Sequence, residues 1–345
     1  FYANGLKGAF ANVPAIVCGA GPSLDPALLN DTRALILAGG SAVTALSAHG
    51  VIPHFGMAID PNLEEYRRFR SSLAFEMPLL YSTRLFPAVF QTCDGPFGYM
   101  RSGIGGASEL WIEEELGLQG PLLGEHLSEE AISVTAICLA WAVFLGCNPI
   151  VLSGVDLAYT NQRRYAAGVT DEVLAVREIE QEKSAPDRIV RRKGKDGKAL
   201  YTAVRWLIEA RGLSRFAAHY PDIQFLNASR GLPIRGFADG KIQLGPKRDF
   251  RADVQRAIAR SPMPANTAEV IQAKLQELTK SLERVVDHLA ILAGKKHGST
   301  ALAELDLREE LAFAVLFYDV DALFPREEKW EHFLHLAEQY LLIAS

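Results

Sequence analysis

The chain has 345 residues, 49% hydrophobic and 22% charged, with a net charge of -5 and a pI near 6.0, enough for one large or two ordinary domains around a substantial core. That acidic balance gives no general attraction to nucleic acid or anionic membranes, and the longest strongly apolar run, 131–145, is too short to span a bilayer. Cys18, Cys93, Cys138 and Cys147 show no Cys-x-x-Cys spacing and no signal peptide is visible, which points to reduced thiols in a cytoplasmic protein rather than to a disulfide framework.

The first predicted strand, Ala15 to Cys18, runs into Gly19-Ala20-Gly21-Pro22-Ser23-Leu24-Asp25. Two glycines let the backbone approach a ligand closely, and the amides of such a turn attract anions. Gly19, Ala20, Gly21, Pro22, Ser23 and Leu24 are therefore candidate nucleotide-binding residues, with Asp25 as N-cap and Pro26 as the first residue of a short helix. Leu24 stands where a dinucleotide fingerprint needs its third glycine, and the Gly-Lys-Ser or Gly-Lys-Thr ending of a Walker loop is missing, so neither motif is complete. The bland alternative is a tight βα turn with no ligand.

Further strands are predicted at Ala34 to Ala38, Phe55 to Ile59, Leu79 to Ser82, Ile150 to Ser153 and Ile223 to Leu226. Helical segments fall near Ala42 to Ala48, Leu63 to Ser72 and Glu129 to Leu145. The last is expected to be capped by Ser128 and to end before Gly146. After the third strand comes Asp60-Pro61-Asn62: Asp60 reads as a catalytic or cation-binding carboxylate and Asn62 as a nucleotide contact, against an Asx turn or N-cap before Leu63. After Ser153 comes Gly154-Val155-Asp156-Leu157-Ala158-Tyr159, with Gly154 on the nucleotide and Asp156 and Tyr159 as catalytic candidates. Asn227 and Ser229 follow the strand at Ile223 as further nucleotide contacts. Ligands in open α/β sheets bind beyond the carboxyl ends of strands, and these four loops all sit at such ends.

From Ala158 to Ala199 apolar periodicity lapses, which predicts an extended insertion over the sheet edge, placed to act as a lid. Arg163 and Tyr165 are candidates for a substrate phosphate or an acceptor. Arg191, Arg192, Lys193, Lys195 and Lys198 surround an Asp196-Gly197 hairpin turn, either as a contact for a nucleotide-sugar phosphate or an acidic acceptor or as a solvated loop. Thr202 is expected to start a helix over Ala203 to Arg211. No metal is assigned: His332 and His335 lack a third ligand, and neither Asp60 nor Asp156 belongs to an Asp-x-Asp pair that would secure a cation. Nor is there a Gly-x-Ser-x-Gly elbow or a Cys-His signature.

Beyond residue 250 long amphipathic helices take over. Asn266 with Glu269 resembles a capping box, and Ile271, Leu275, Leu278, Leu282, Val285, Leu289 and Leu292 share a face before Gly294. Helices near Ser299 to Tyr318 and Arg326 to Leu342 follow. The fold class is thus α/β, a Rossmann-like, mostly parallel sheet with helices on both faces, followed by a C-terminal helical bundle. The catalytic domain spans 1–250 and the helical domain 262–345, with Pro262-Met263-Pro264 at the boundary. The bundle is a candidate for homo-oligomerisation or acceptor docking.

Gly19 to Asp25, Gly50-Val51-Ile52-Pro53, Asp60-Pro61, Gly154 to Tyr159, Asn227 to Gly231 and Ile234-Arg235-Gly236 occur in the order found in the motility-associated factor (Maf) glycosyltransferases. Over roughly residues 10–240 the chain resembles that family, which shares a domain with archaeal-type 6-hydroxymethylpterin pyrophosphokinases and is distantly similar to bacterial sialyltransferases. The resemblance implies transfer of a nonulosonic acid sugar from a CMP-activated donor to Ser or Thr of an acceptor protein such as flagellin, in the service of motility. Nucleotide recognition would come from Gly19, Gly21 and Ser23, with Asp60, Asp156 and Asn227 shaping the pocket. The alternatives are an ATP- and Mg²⁺-dependent diphosphotransferase and a non-catalytic scaffold. Asp60 and Asp156 would hold the Mg²⁺ or hydrogen-bond sugar hydroxyls.

Overall fold

The computed structural model describes residues 1–29, 33–128, 132–160, 163–169, 188–240, 248–321 and 329–344. Among them eight strands form one parallel sheet: β1 (Ala15–Cys18), β2 (Leu35–Gly39), β3 (Phe55–Ala58), β4 (Leu79–Tyr81), β5 (Phe97–Tyr99), β6 (Ile150–Ser153), β9 (Phe225–Asn227) and β10 (Ala238–Asp239). Every residue of β1, β2, β3 and β6 is buried, which is why these strands read as unbroken apolar runs rather than as alternating ones.

The strand order is β10-β9-β6-β1-β2-β3-β4-β5. From β1 the chain steps outward to β5, then returns to lay β6 on the other side of β1. The reversal therefore lies between β1 and β6, whose ends are level because Cys18 is the register partner of Ser153. One face of the sheet sends Ile16, Cys18, Ile36 and Ala38 into a cluster with Val43 and Leu46 of α1 (Ser41–Ser47) and Phe69 of α2 (Leu63–Arg70). On the alternate set Phe55 meets Trp141 of α4 (Val134–Phe144) edge-on at 5.6 Å. The expected two-faced α/β architecture is what forms.

Several local expectations change. The helix expected from Glu129 starts at Val134, and its cap is Ser133, whose hydroxyl accepts the Ala136 N–H at 3.1 Å. Ser128 does not cap it, and Glu129 and Glu130 lie outside the described residues. Thr202 does not start a helix: it is the buried fourth residue of β8 (Ala199–Ala203), paired with β7 (Ile189–Lys193) in an antiparallel hairpin, and its hydroxyl donates to the Leu157 carbonyl at 2.7 Å. The following helix, α5, runs Val204–Ala218. The hairpin turn expected at Asp196-Gly197 is present, with Gly197 at φ +79°. Of the proposed insertion, 161–162 and 170–187 lie outside the described residues.

His54 lengthens the ladder with its side chain. Its N–H donates to the Ile36 carbonyl at 2.8 Å, and its Nδ1 accepts the Ile36 N–H at 2.9 Å. Burial first, and the charge of Arg251 second, push its pKa down to about 4, with Asp249 opposing.

The chain divides into two compact units, 1–102 with 121–262, and 103–120 with 263–345. The first also contains α6 (Phe250–Ala259). The second consists of α3 (Gly106–Glu115), α7 (Thr267–Leu292), α8 (Thr300–Glu309), α9 (Leu311–Leu316), α10 (Tyr318–Asp321) and α11 (Lys329–Ala344). Its core joins Leu282, Val285 and Leu289 to Leu307, Phe313, Phe317 and Phe333. Asn266 is the N-cap residue of α7, but its side chain makes no cap hydrogen bond, so the capping box does not form. Gly294 ends α7 in the left-handed region. The cysteines are free, with Cys18, Cys138 and Cys147 buried. No described helix is long and apolar enough to cross a membrane.

Candidate functional site

The loops after β1 and β6 lock together at the switch point. The Gly19 N–H donates to Ser153 O at 2.8 Å and the Gly21 N–H to Gly154 O at 2.7 Å. Asp156, 2% exposed, accepts the Ser23 N–H on Oδ2 at 2.8 Å and the Arg230 N–H on Oδ1 at 3.0 Å. A Cβ on Gly19 would stand 2.5 Å from Gly154 O, and one on Gly21 would stand 2.5 Å from the Asp156 carboxylate. These glycines therefore admit a neighbouring loop. The amides of Gly19, Gly21 and Ser23 are taken up by the protein and do not form the open anion cradle expected of them. The Ser23 hydroxyl is buried without a partner among the described residues, and Leu24 belongs to the core.

The third loop completes the clasp. Ser229 Oγ accepts the Val155 N–H at 2.8 Å, and Asn227 Oδ1 accepts the Ser229 N–H at 2.9 Å. Lys195 donates from Nζ to the carbonyls of Asn227 and Ser229 at 2.7 and 2.9 Å and pairs with Asp239 at 2.6 Å. The one basic-cluster lysine that reaches this region thus fastens the hairpin to the loop.

Beside the clasp opens a crevice lined by Gly19, Ala20, Gly21, Thr135, Gly154 to Ala158, Arg164, Tyr165, Trp206 and Glu209. The Arg164 guanidinium lies over the Tyr165 ring at 5.0 Å and the Trp206 ring at 5.8 Å. Tyr159, 5% exposed, packs against Trp206 at 5.1 Å. Glu209 stands one turn along α5 from Trp206, on the same face. The Ser133 hydroxyl donates to its Oε1 at 2.6 Å. Burial raises the Glu209 pKa, against the pull of that bond and of Arg205. A half-buried carboxylate with a raised pKa in a crevice is suited to accept a proton from a substrate hydroxyl.

Of the residues expected at the site, Gly19, Ala20, Gly21, Gly154, Asp156 and Tyr165 line this crevice. Tyr159 supports it from behind. Arg163 is exposed in a backbone bridge with Thr160 and does not line it. Thr135, Trp206 and Glu209 were not picked out by the sequence. The one available signal was the three-residue spacing of Trp206 and Glu209, which an unremarkable amphipathic helix shows too.

Asp60 and Asn62 belong to a second cluster at the end of β3. Asn62 Oδ1 caps α2 by accepting the Glu65 N–H at 3.2 Å. Arg68 bonds Glu65 at 3.0 Å and Asp60 at 3.4 Å, and Tyr165 stands close enough to Arg68 to act on it electrostatically. Glu65 is 1% exposed, one of its oxygens lacks a partner among the described residues, and burial together with the Asp60 charge pushes its pKa up to about 7 against the pull of Arg68. The donor set does not suit Mg²⁺: both Asp156 oxygens already accept backbone N–H groups, Asp60 is paired with a guanidinium, and no group of three metal-binding side chains occurs among the described residues.

Residues 2–162 match the family model of 6-hydroxymethylpterin diphosphokinase MptE-like proteins. The fold is that of a Maf glycosyltransferase from Magnetospirillum magneticum AMB-1, with a TM-score of 0.56 and 19% identity over 99% of this chain. The chain spans 58% of that protein's length. No curated protein matches the sequence. The two matches bear out the resemblance to the Maf and MptE-like families drawn from the loop motifs.

Proposed function

We propose that this chain is a glycosyltransferase that moves a nonulosonic acid sugar from a CMP-activated donor to a Ser or Thr hydroxyl of an acceptor protein such as flagellin. The observation that carries the reading is that a carboxylate, Glu209, and a guanidinium, Arg164, both line the crevice at the switch point. The acceptor hydroxyl gives its proton to Glu209 while its oxygen bonds to the anomeric carbon. The bond from that carbon to the CMP phosphate oxygen breaks with its electron pair, and Arg164 offsets the charge left on the phosphate. Tyr165 and Trp206 supply flat apolar surface for the base or sugar ring. The MptE-like match supports a second reading, diphosphate transfer from ATP, although the carboxylates do not suit Mg²⁺.

Thermal-shift measurements separate the readings, since a ligand at a hundred times its Kd stabilises the native state by about 2.7 kcal/mol. CMP or a CMP-sugar is expected to raise Tm; a rise with ATP and Mg²⁺ alone would favour diphosphate transfer, and no rise with either would favour a scaffold. Glu209→Gln is expected to lower the transfer rate by about 10²–10⁴-fold with CMP affinity retained. Because the base must be ionised and its pKa is raised, the rate of the unaltered enzyme climbs with pH above the ordinary carboxylate range. Full transfer by Glu209→Gln would remove the assigned base.

A further inference from the structure

We propose that the C-terminal half of α5 carries a second binding site, a dish that docks an acidic peptide segment bearing an apolar side chain. A concavity there is lined by Arg211, Ser214, Arg215, Tyr220, Ile223, Phe225 and Arg235, among others. Each residue turns a helix by about 100°, so Arg211 and Arg215 project from roughly the opposite side of α5 to Trp206 and Glu209. They are four apart and share a face. Arg235 is brought beside them by Gly236, which adopts φ +88° and lies so near α5 that an added Cβ would stand 3.4 Å from the Ala217 Cβ.

Three features set the chemistry of the occupant. The arginines are exposed and make no ion pair among the described residues, in a chain where 41 acidic residues face 36 basic ones. Their mutual repulsion is offset only by an anionic partner. The floor is apolar, with Phe225 4% and Ala217 6% exposed, so the partner presents an apolar group between its charges. Finally, the helix end nearest the dish is the C-terminal end of α5, whose partial negative charge disfavours a compact polyanion. Phosphate sites use helix N-termini instead. Carboxylates spaced along a peptide, each meeting one planar guanidinium fork, fit this layout better than one phosphate does. The site stands independently of the chemistry assigned to the crevice.

The test uses the full chain and fluorescence anisotropy with a labelled peptide of alternating Glu residues around a central Leu. Its affinity is expected to exceed that of the Gln analogue by about tenfold and to fall as salt rises to roughly 0.5 M. Arg211→Gln, Arg215→Gln and Arg235→Gln combined should abolish the difference, with Tm unchanged because all three side chains are exposed. Replacing the peptide Leu by Ser should weaken binding as well. Equal affinity for the Glu and Gln peptides would overturn the proposal, as would binding that survives the triple substitution. Arginine-dependent binding of inorganic pyrophosphate, with none of the peptide, would overturn it in favour of a small-phosphate site.

Discussion

Asp156 shows how one buried side chain decides what a loop can do. Its two oxygens accept N–H groups from the Gly19–Ser23 turn and from the Asn227–Gly231 loop, so it holds both strand-end loops in place. Asp156→Asn keeps the shape but turns an amide NH₂ toward one of those N–H donors. A buried donor facing a donor costs about 1–3 kcal/mol. A loss of that size is expected in urea unfolding, accompanied by weaker CMP binding. Ser23→Ala is the matching control: its hydroxyl is buried with no partner among the described residues, so its removal should leave stability unchanged or slightly improved. An Asp156→Asn protein as stable as the parent would show that the loops need no clasp. The sequence pointed to Gly19, Gly21 and Asp156 together, but for a different reason. Glycine spacing reveals that something approaches closely, and only the fold reveals that the visitor is Gly154 and the Asp156 carboxylate.

At the level of elements, the side chain of His54 serves as part of the β2–β3 ladder, and this gives the sheet a pH dependence. The native pKa of about 4 lies below the ordinary value of 6.5, so the unfolded chain takes up the proton first as pH falls. The stabilisation is fully present above pH 6.5 and declines through to about pH 4, by roughly 3 kcal/mol at most. His54→Asn places Oδ1 where Nδ1 accepts the Ile36 N–H and cannot titrate, so the fall in Tm between pH 6.5 and 4 should be smaller than in the parent. An identical fall in both would remove His54 from the account. Strands such as β1 and β6 were legible to the residue because burial on both faces leaves an apolar run ended by glycine. The start of α4 was not: Ser128 and Ser133 are both credible caps, and the contact that favours Ser133, its bond to Glu209 on α5, is 76 positions away. Thr202 misled for a similar reason, since its pairing with Val190 across the hairpin settles its state.

For the whole molecule, the two units differ in how their cores are made and therefore in how they respond to substitution. The helical unit gathers α7 around Val285 and Leu289, both fully buried, with Phe313, Phe317 and Phe333. In its first half the same apolar stripe is less well covered: Ile271 and Leu278 are half-buried and Leu275 is 51% exposed. Periodicity alone treats Leu275 and Leu289 alike, because it reports which residues share a face and not how far along that face the neighbours extend. Nor does it show that 103–120, inserted between β5 and β6, belongs to the helical unit. Leu289→Ala should cost about 2–5 kcal/mol, the transfer loss plus an unfilled cavity, whereas Leu275→Ala should cost no more than about 0.5 kcal/mol. Hydrogen exchange locates the effect: Leu289→Ala should speed exchange in peptides from α7, α9 and α11, since those elements share its core. Equal costs for the two leucines would mean that the stripe is covered along its whole length.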